Sequence, residues 1–167
     1  MKRKEYIEVL NRNTAHALSI ARQIPDYHKK SIHGGWSIIQ ILEHIYMVDR
    51  ICHLMVQKPS DRHSEHTEHY GDQKLNDILV TKRDAKVNAP ELLQPKGAIL
   101  NPESFEQSFL EQRNLLKQEI KQDKILMDHR IHKHPFLGEM TITDWLYFII
   151  HHTERHLQQI IDIEQES

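Results

Sequence analysis

Two histidines one helical turn apart, His152 and His156, stand where a helix seam calls for apolar residues. The run Ile142, Trp145, Ile149, His152, His156, Gln159, Ile163 recurs at three-then-four spacing and so forms one stripe of a helix. An earlier run, Ile41, His44, Val48, Ile51, Met55, forms a second stripe with a third histidine inside it. The i, i+4 spacing lets His152 and His156 reach one ion, and a ring from a facing helix adds a third ligand. Burying three imidazoles without partners is costly. A shared divalent cation removes that cost, because each neutral ring donates a lone pair. Three neutral ligands leave the ion its full charge and at least one open position, the pattern of a catalytic site. Such an ion lowers the pKa of a bound water or thiol toward neutrality. Zinc and nickel suit imidazole best, with iron and manganese as alternatives. Spacing alone also allows a second reading, in which these are core histidines satisfied by ordinary hydrogen bonds.

Other residues near the seams have lesser claims. Asp49 and Gln159 lie close to the ligands in sequence and are candidates to orient an imidazole from behind. Both are equally readable as ordinary polar residues. His151 is turned about 100° from His152 around the helix and should face away, and Glu154 is also off the seam. Arg155 reads as the partner of a carboxylate. His63, His66 and His69 alternate with Glu65 and Glu68 in a polar stretch and read as a solvated loop. His129, His132 and His134 precede Pro135 and are read the same way. Cys52, the single cysteine, rules out an internal disulfide and a cysteine-rich zinc site. It reads as a small apolar residue on a helix face.

Four long helices must position the three histidines. The first spans about Glu5 to Ile24, with Ile7, Leu10, Thr14, Ala17 and Ala21 on its stripe, and Pro25 ends it. The second starts at Ser37, where Ser37 and Gln40 make a capping box and Trp36 with Ile41 a hydrophobic staple; it runs to about Gln57. The third starts at Asn101-Pro102, with Phe105, Phe109, Leu116 and Ile120 on its apolar face. The fourth starts at Thr141, capped with Asp144 and stapled by Met140 and Trp145, and runs to about Glu164. Between the second and third lies a long crossover, with a short helix expected over Gln73 to Lys86 and an extended stretch around Pro90 and Pro95. Strand signals are weak throughout. The expected fold is all-α: one domain over residues 1–167, a four-helix bundle of up-down-down-up order. On that order the second and fourth helices are antiparallel. His44 then lies about 10 Å along the second helix, and His152 and His156 lie about 16 and 22 Å along the fourth, which puts all three at nearly one level.

The whole chain narrows the function further. It has 167 residues, 22 Lys plus Arg against 24 Asp plus Glu, and 14 histidines. Near-balanced charge leaves no basic footprint for nucleic acid. Met1-Lys2-Arg3-Lys4 is followed by no apolar segment of signal-peptide type, and Trp145 to Ile150 is too short to span a bilayer. A cytoplasmic protein that binds neither nucleic acid nor membrane is expected. An apolar bundle face could support a homodimer.

Two segments carry a family resemblance. Trp36-Ser37, then Leu42-Glu43-His44-Ile45 and Asp49, resemble the first signature of the DinB-like/YfiT-like superfamily. The segment Pro135 to Thr141, then Asp144-Trp145-Leu146 and His152-Thr153-Glu154-Arg155-His156-Leu157-Gln158-Gln159-Ile160, resembles its second signature. Ala89-Pro90 and Pro95 in the crossover match the general pattern. The resemblance covers nearly the whole chain. It implies the same four-helix bundle and a metal held by three histidines, here His44, His152 and His156. It does not supply a substrate; a small molecule, with a low-molecular-weight thiol as one candidate, is the expectation. Members include S-transferases that use low-molecular-weight thiols such as bacillithiol, and thiol-dependent isomerases. Three functions follow as expectations: a metal-dependent thiol S-transferase acting on small electrophiles, a metal-dependent hydrolase of small esters or amides, or a non-catalytic bundle stitched by its metal.

Overall fold

The computed structural model describes residues 2–84 and 87–166. Among them the chain is mostly helical, with five α-helices and two short antiparallel hairpins. Helix α1 spans Lys2–Arg22. Strands β1 (Lys30–Ser31) and β2 (Gly34–Ser37) lead into α2 (Ile38–Gln57). The crossover holds α3 (Gly71–Asn76), a π-helical turn over Asp77–Thr81 and a 3-10 turn over Glu91–Leu93. Helix α4 spans Pro102–Lys121, and strands β3 (Ile131–His134) and β4 (Gly138–Thr141) lead into α5 (Ile142–Gln165). The four long helices expected from periodicity are α1, α2, α4 and α5.

Both capping boxes form. The Ser37 side chain accepts from the Gln40 N–H while the Gln40 side chain accepts from the Ser37 N–H, and Thr141 and Asp144 do the same for α5. Asn101 accepts from the Ser104 N–H to start α4. The two hairpins correct the all-α expectation. They pair Lys30 with Ser37, and Ile131 with Thr141 through His134 with Gly138. Ladders of two to four residues are too short to show alternation. Their mark in the sequence is turn chemistry: Gly34 and Gly138 both take positive φ, +86° and +76°, a region open to glycine at little cost. Each hairpin ends on the cap residue of a histidine-bearing helix and so sets its entry angle. His132 and His134 therefore belong to a strand and not to a loop. The crossover also differs from expectation. Its helix ends by Thr81, Ala85 and Lys86 lie outside the described residues, and the proline-bounded stretch folds into a 3-10 turn.

Helix α1 packs on α4 and α5, and α2 packs on the same two. Residue pairs record how the helices lie. Arg22, at the end of α1, meets Glu106 near the start of α4, and Arg3 meets Asp123 just past the end of α4. The Tyr6 hydroxyl donates to the Leu146 carbonyl (2.8 Å), and His16 meets Glu154 (2.9 Å). Two apolar cores result. One joins Tyr6, Leu10, Val56, Ile120 and Trp145, and the other Ala17, Ile41, Phe105, Phe109 and Leu157. Arg113, Asp49, Asn13 and Thr153 form a buried polar knot shared by all four long helices.

Candidate metal centre

Helix α2 contributes His44, and α5 contributes His152 and His156. One ring nitrogen of each lies within 4.8 Å of the others. Ring centroids are 5.1 Å apart for His44 and His152, 4.8 Å for His44 and His156, and 4.5 Å for His152 and His156. His44 and His152 are buried, and His156 is partly buried. The Trp36 ring lies 4.8 Å from His44, and Phe148 stacks on His152 at 5.3 Å. Each of these aromatic rings lies against one of the imidazoles.

Hydrogen bonds settle which nitrogen is available on two of the rings. His44 Nδ1 donates to the Leu93 carbonyl at 2.7 Å. His156 Nδ1 pairs with Gln159 Oε1 at 2.8 Å. With Nδ1 carrying the proton, Nε2 keeps its lone pair for a metal. The third ring differs: His152 Nδ1 is buried and has no hydrogen-bond partner. A buried imidazole nitrogen left unpaired is costly, and a cation between the rings would relieve the group.

The electrostatics favour neutral rings. Burial lowers the His44 pKa, opposed by the Leu93 carbonyl. Burial, then His156 and His44, lower that of His152 well below the usual histidine value. Burial and His44 lower that of His156 to about 3, although Gln159 acts the other way. At neutral pH all three are lone-pair donors, the form a metal requires. The residues present therefore fit one divalent ion held by three neutral nitrogens. Nothing in the donor set separates zinc from nickel.

The structure sorts the remaining candidates. Gln159 sits on His156. Asp49 does not orient an imidazole of the group: its carboxylate faces Arg113 and the Thr153 hydroxyl. Facing inward on α2, it is recruited by a buried guanidinium that sequence spacing does not pair with it. Glu154 bonds Asn13 (2.9 Å) and His16, facing α1. His151 faces α3, with Nε2 2.6 Å from Asp72 Oδ1. Arg155 donates to the Leu79 carbonyl in the π-helical turn. His69 pairs with Ser64, His63 bridges to Arg130, and the loop histidines form no further metal-type group among the described residues. Cys52 is buried, which pushes its thiol well up and away from nucleophilic use.

Sequence reasoning missed the Leu93 carbonyl, Glu43 and His134. His134 Nδ1 accepts the N–H groups of Phe136 and Leu137, both at 3.1 Å, and its ring packs 4.7 Å from Phe148. Burial lowers its pKa to about 4. An unfolded histidine binds its proton near pH 6.5. Between these values the unfolded chain holds the extra proton, so stability rises with pH and is lost as pH falls through that window. The His134 contribution should amount to about 1–3 kcal/mol between pH 7 and pH 4. Urea denaturation across that range should show a shallower pH dependence for His134→Gln than for the parent. Equal slopes would remove His134 from the account.

Comparison with known proteins agrees with the geometry. A model of the DinB superfamily matches residues 10–160. An uncharacterized protein of Bacillus subtilis (strain 168), YuaE, is 26% identical over 137 residues, covering 78% of this chain and 78% of that protein. No solved structure matches. No helix among the described residues is long and apolar enough to cross a membrane. With the family model spanning both histidine-bearing helices and the crossover between them, the chain belongs to the DinB superfamily.

Proposed function

We propose that this chain is a metal-dependent thiol S-transferase. In this reading one divalent ion, zinc or nickel, sits on His44, His152 and His156 within a single up-down-down-up bundle. The observation that carries it is the convergence of three neutral imidazoles, two with Nδ1 already engaged and the third with a buried nitrogen unpaired. The helix order is supported by the residue pairs. Contacts of Arg22 with Glu106 and Arg3 with Asp123 run α1 against α4, while Tyr6 with Leu146 and His16 with Glu154 run α1 along α5. His44 with His156 and Asp49 with Thr153 run α2 against α5.

A metal in a three-imidazole site supplies Lewis acidity, which brings the pKa of a thiol or water at its open position near neutrality. The chain's own residues do the rest. Leu93 and Gln159 hold two imidazoles in the metal-binding tautomer. Trp36 and Phe148 cover the faces of His44 and His152, and apolar cover of that kind strengthens electrostatic effects at a site. In the reaction the thiol loses its proton to solvent, its sulfur bonds the electrophilic carbon, and the leaving group departs with the electron pair of the broken bond. A reduced small thiol as substrate would fit a cytoplasmic protein.

The second reading is ester or amide hydrolysis, because the same open position takes water. A chlorinated dinitrobenzene with cysteine or bacillithiol, and an activated nitrophenyl ester without thiol, separate the two. Thiol-dependent adduct formation by zinc- or nickel-loaded protein, absent in His156→Ala, is the expected result. Ester turnover alone would move the assignment to a hydrolase. Turnover of neither probe by fully loaded protein would overturn the enzyme reading.

A further inference from the structure

Glu43 precedes His44 on α2, is buried, and faces no cation among the described ion pairs. Buried carboxylate oxygens need hydrogen-bond donors. Glu43 takes them from the crossover backbone: Oε2 accepts from the Lys96 N–H (2.6 Å), and Oε1 from Gly97 (3.1 Å) and Ile99 (3.2 Å). Leu93, whose carbonyl accepts from His44 Nδ1, lies three residues before Lys96. It is held in a 3-10 turn closed by bonds from Leu93 to Pro90 and from Gln94 to Glu91. Pro95, with its fixed φ, joins that turn to the anchored residues. Little freedom is left in so short a link, so where Lys96 is pinned decides where the Leu93 carbonyl points.

We propose that Glu43 is a positioning residue for the metal centre. It pins residues 96–99 to α2 and so presents the Leu93 carbonyl to His44, which sets the tautomer that leaves His44 Nε2 free. This rests on the metal reading above only for its consequence on affinity. The tautomer itself is a property of the metal-free protein. The other end of the crossover is tied in the same manner, by Asp144 accepting from His69, Tyr70 and Gly71, but that anchor touches no ligand. Among the described residues, Glu43 anchors the stretch of crossover that follows the Leu93 contact with His44.

The test compares the parent with Glu43→Gln and Glu43→Asp, reading zinc affinity by chelator competition and imidazole 15N shifts of the metal-free protein. In the parent His44 should carry its proton on Nδ1. In Glu43→Gln, which offers one acceptor oxygen in place of two, the His44 signal should shift toward the other tautomer. Zinc should bind roughly ten- to a hundredfold more weakly. His156, held by Gln159 on its own helix, should keep its tautomer, and Glu43→Asp should fall between. A folded Glu43→Gln with the parent's His44 signal and zinc affinity within about twofold would overturn the proposal. So would a loss of melting temperature with no selective change at His44. If Glu43→Gln does not fold, Glu43→Asp is read by the same two criteria. If the parent itself refuses zinc, the metal reading falls, and the His44 tautomer still decides the role of Glu43.

Discussion

Replacing His152 with alanine should abolish tight metal binding while the bundle persists. Structural zinc sites with four ligands bind with apparent free energies of roughly 10–16 kcal/mol, or about 2.5–4 kcal/mol per ligand, which corresponds to roughly seventyfold to nearly a thousandfold in affinity. His152 should fall within that range, because its ring meets both of the others, at 5.1 and 4.5 Å. The metal-free fold should be affected less. Its imidazole leaves Nδ1 unpaired in the interior, so truncation removes a cost together with the packing against Phe148. Saturating metal at about a thousand times Kd should stabilise the parent by roughly 4 kcal/mol and leave the variant nearly unmoved. Thermal melts with and without added zinc or nickel make the comparison. A variant that keeps the parent's metal-induced shift would remove His152 from the ligand set.

Arg113→Leu should cause the largest loss of stability in the chain. The Arg113 guanidinium is buried and bonds Asp49 through Nε and Nη2, Asn13 Oδ1 at 2.8 Å, Thr14 at 3.1 Å and Thr153 at 2.9 Å. Its guanidinium carbon also lies 4.4 Å from the centre of the Phe109 ring. Burial pushes the Asp49 carboxyl up, and Arg113 pulls it back down. Removing the cation strands a buried carboxylate, a loss of about 3–5 kcal/mol where domains of this kind hold roughly 5–15 kcal/mol in total. The double variant Arg113→Leu, Asp49→Leu should lose less than the sum of the two singles, since neither charge is then left alone. Chemical denaturation of the four proteins gives the coupling directly. Strict additivity would mean that the pair does not act as a unit.

Arg113 also shows where sequence reading stopped. The seam Phe105, Phe109, Leu116, Ile120 skips one turn, and Arg113 fills it. A charged residue on an apolar stripe was a usable signal; its match is Asp49, which is buried on α2 beside the stripe residue Val48. Pairing them needed the relative height of α2 and α4, which local periodicity does not contain. The caps at Ser37, Asn101 and Thr141 were legible because they are local: each side chain bonds its own helix. The three histidines were legible because one-turn spacing and seam position are local as well. The Leu93 and Glu43 contacts were not, because a backbone carbonyl reached across 49 residues and amides reached across 53 to 56 have no side-chain type to betray them. The hairpins were too short for alternation, and only Gly34 and Gly138 announced them.

The proposed function depends on one ion being held by His44, His152 and His156, and the most direct test is elemental analysis of tag-free protein beside its zinc and nickel titration. The account predicts close to one equivalent of divalent metal per chain, either retained from purification or taken up on addition. Folded protein that carries no metal and takes up neither zinc nor nickel would contradict it.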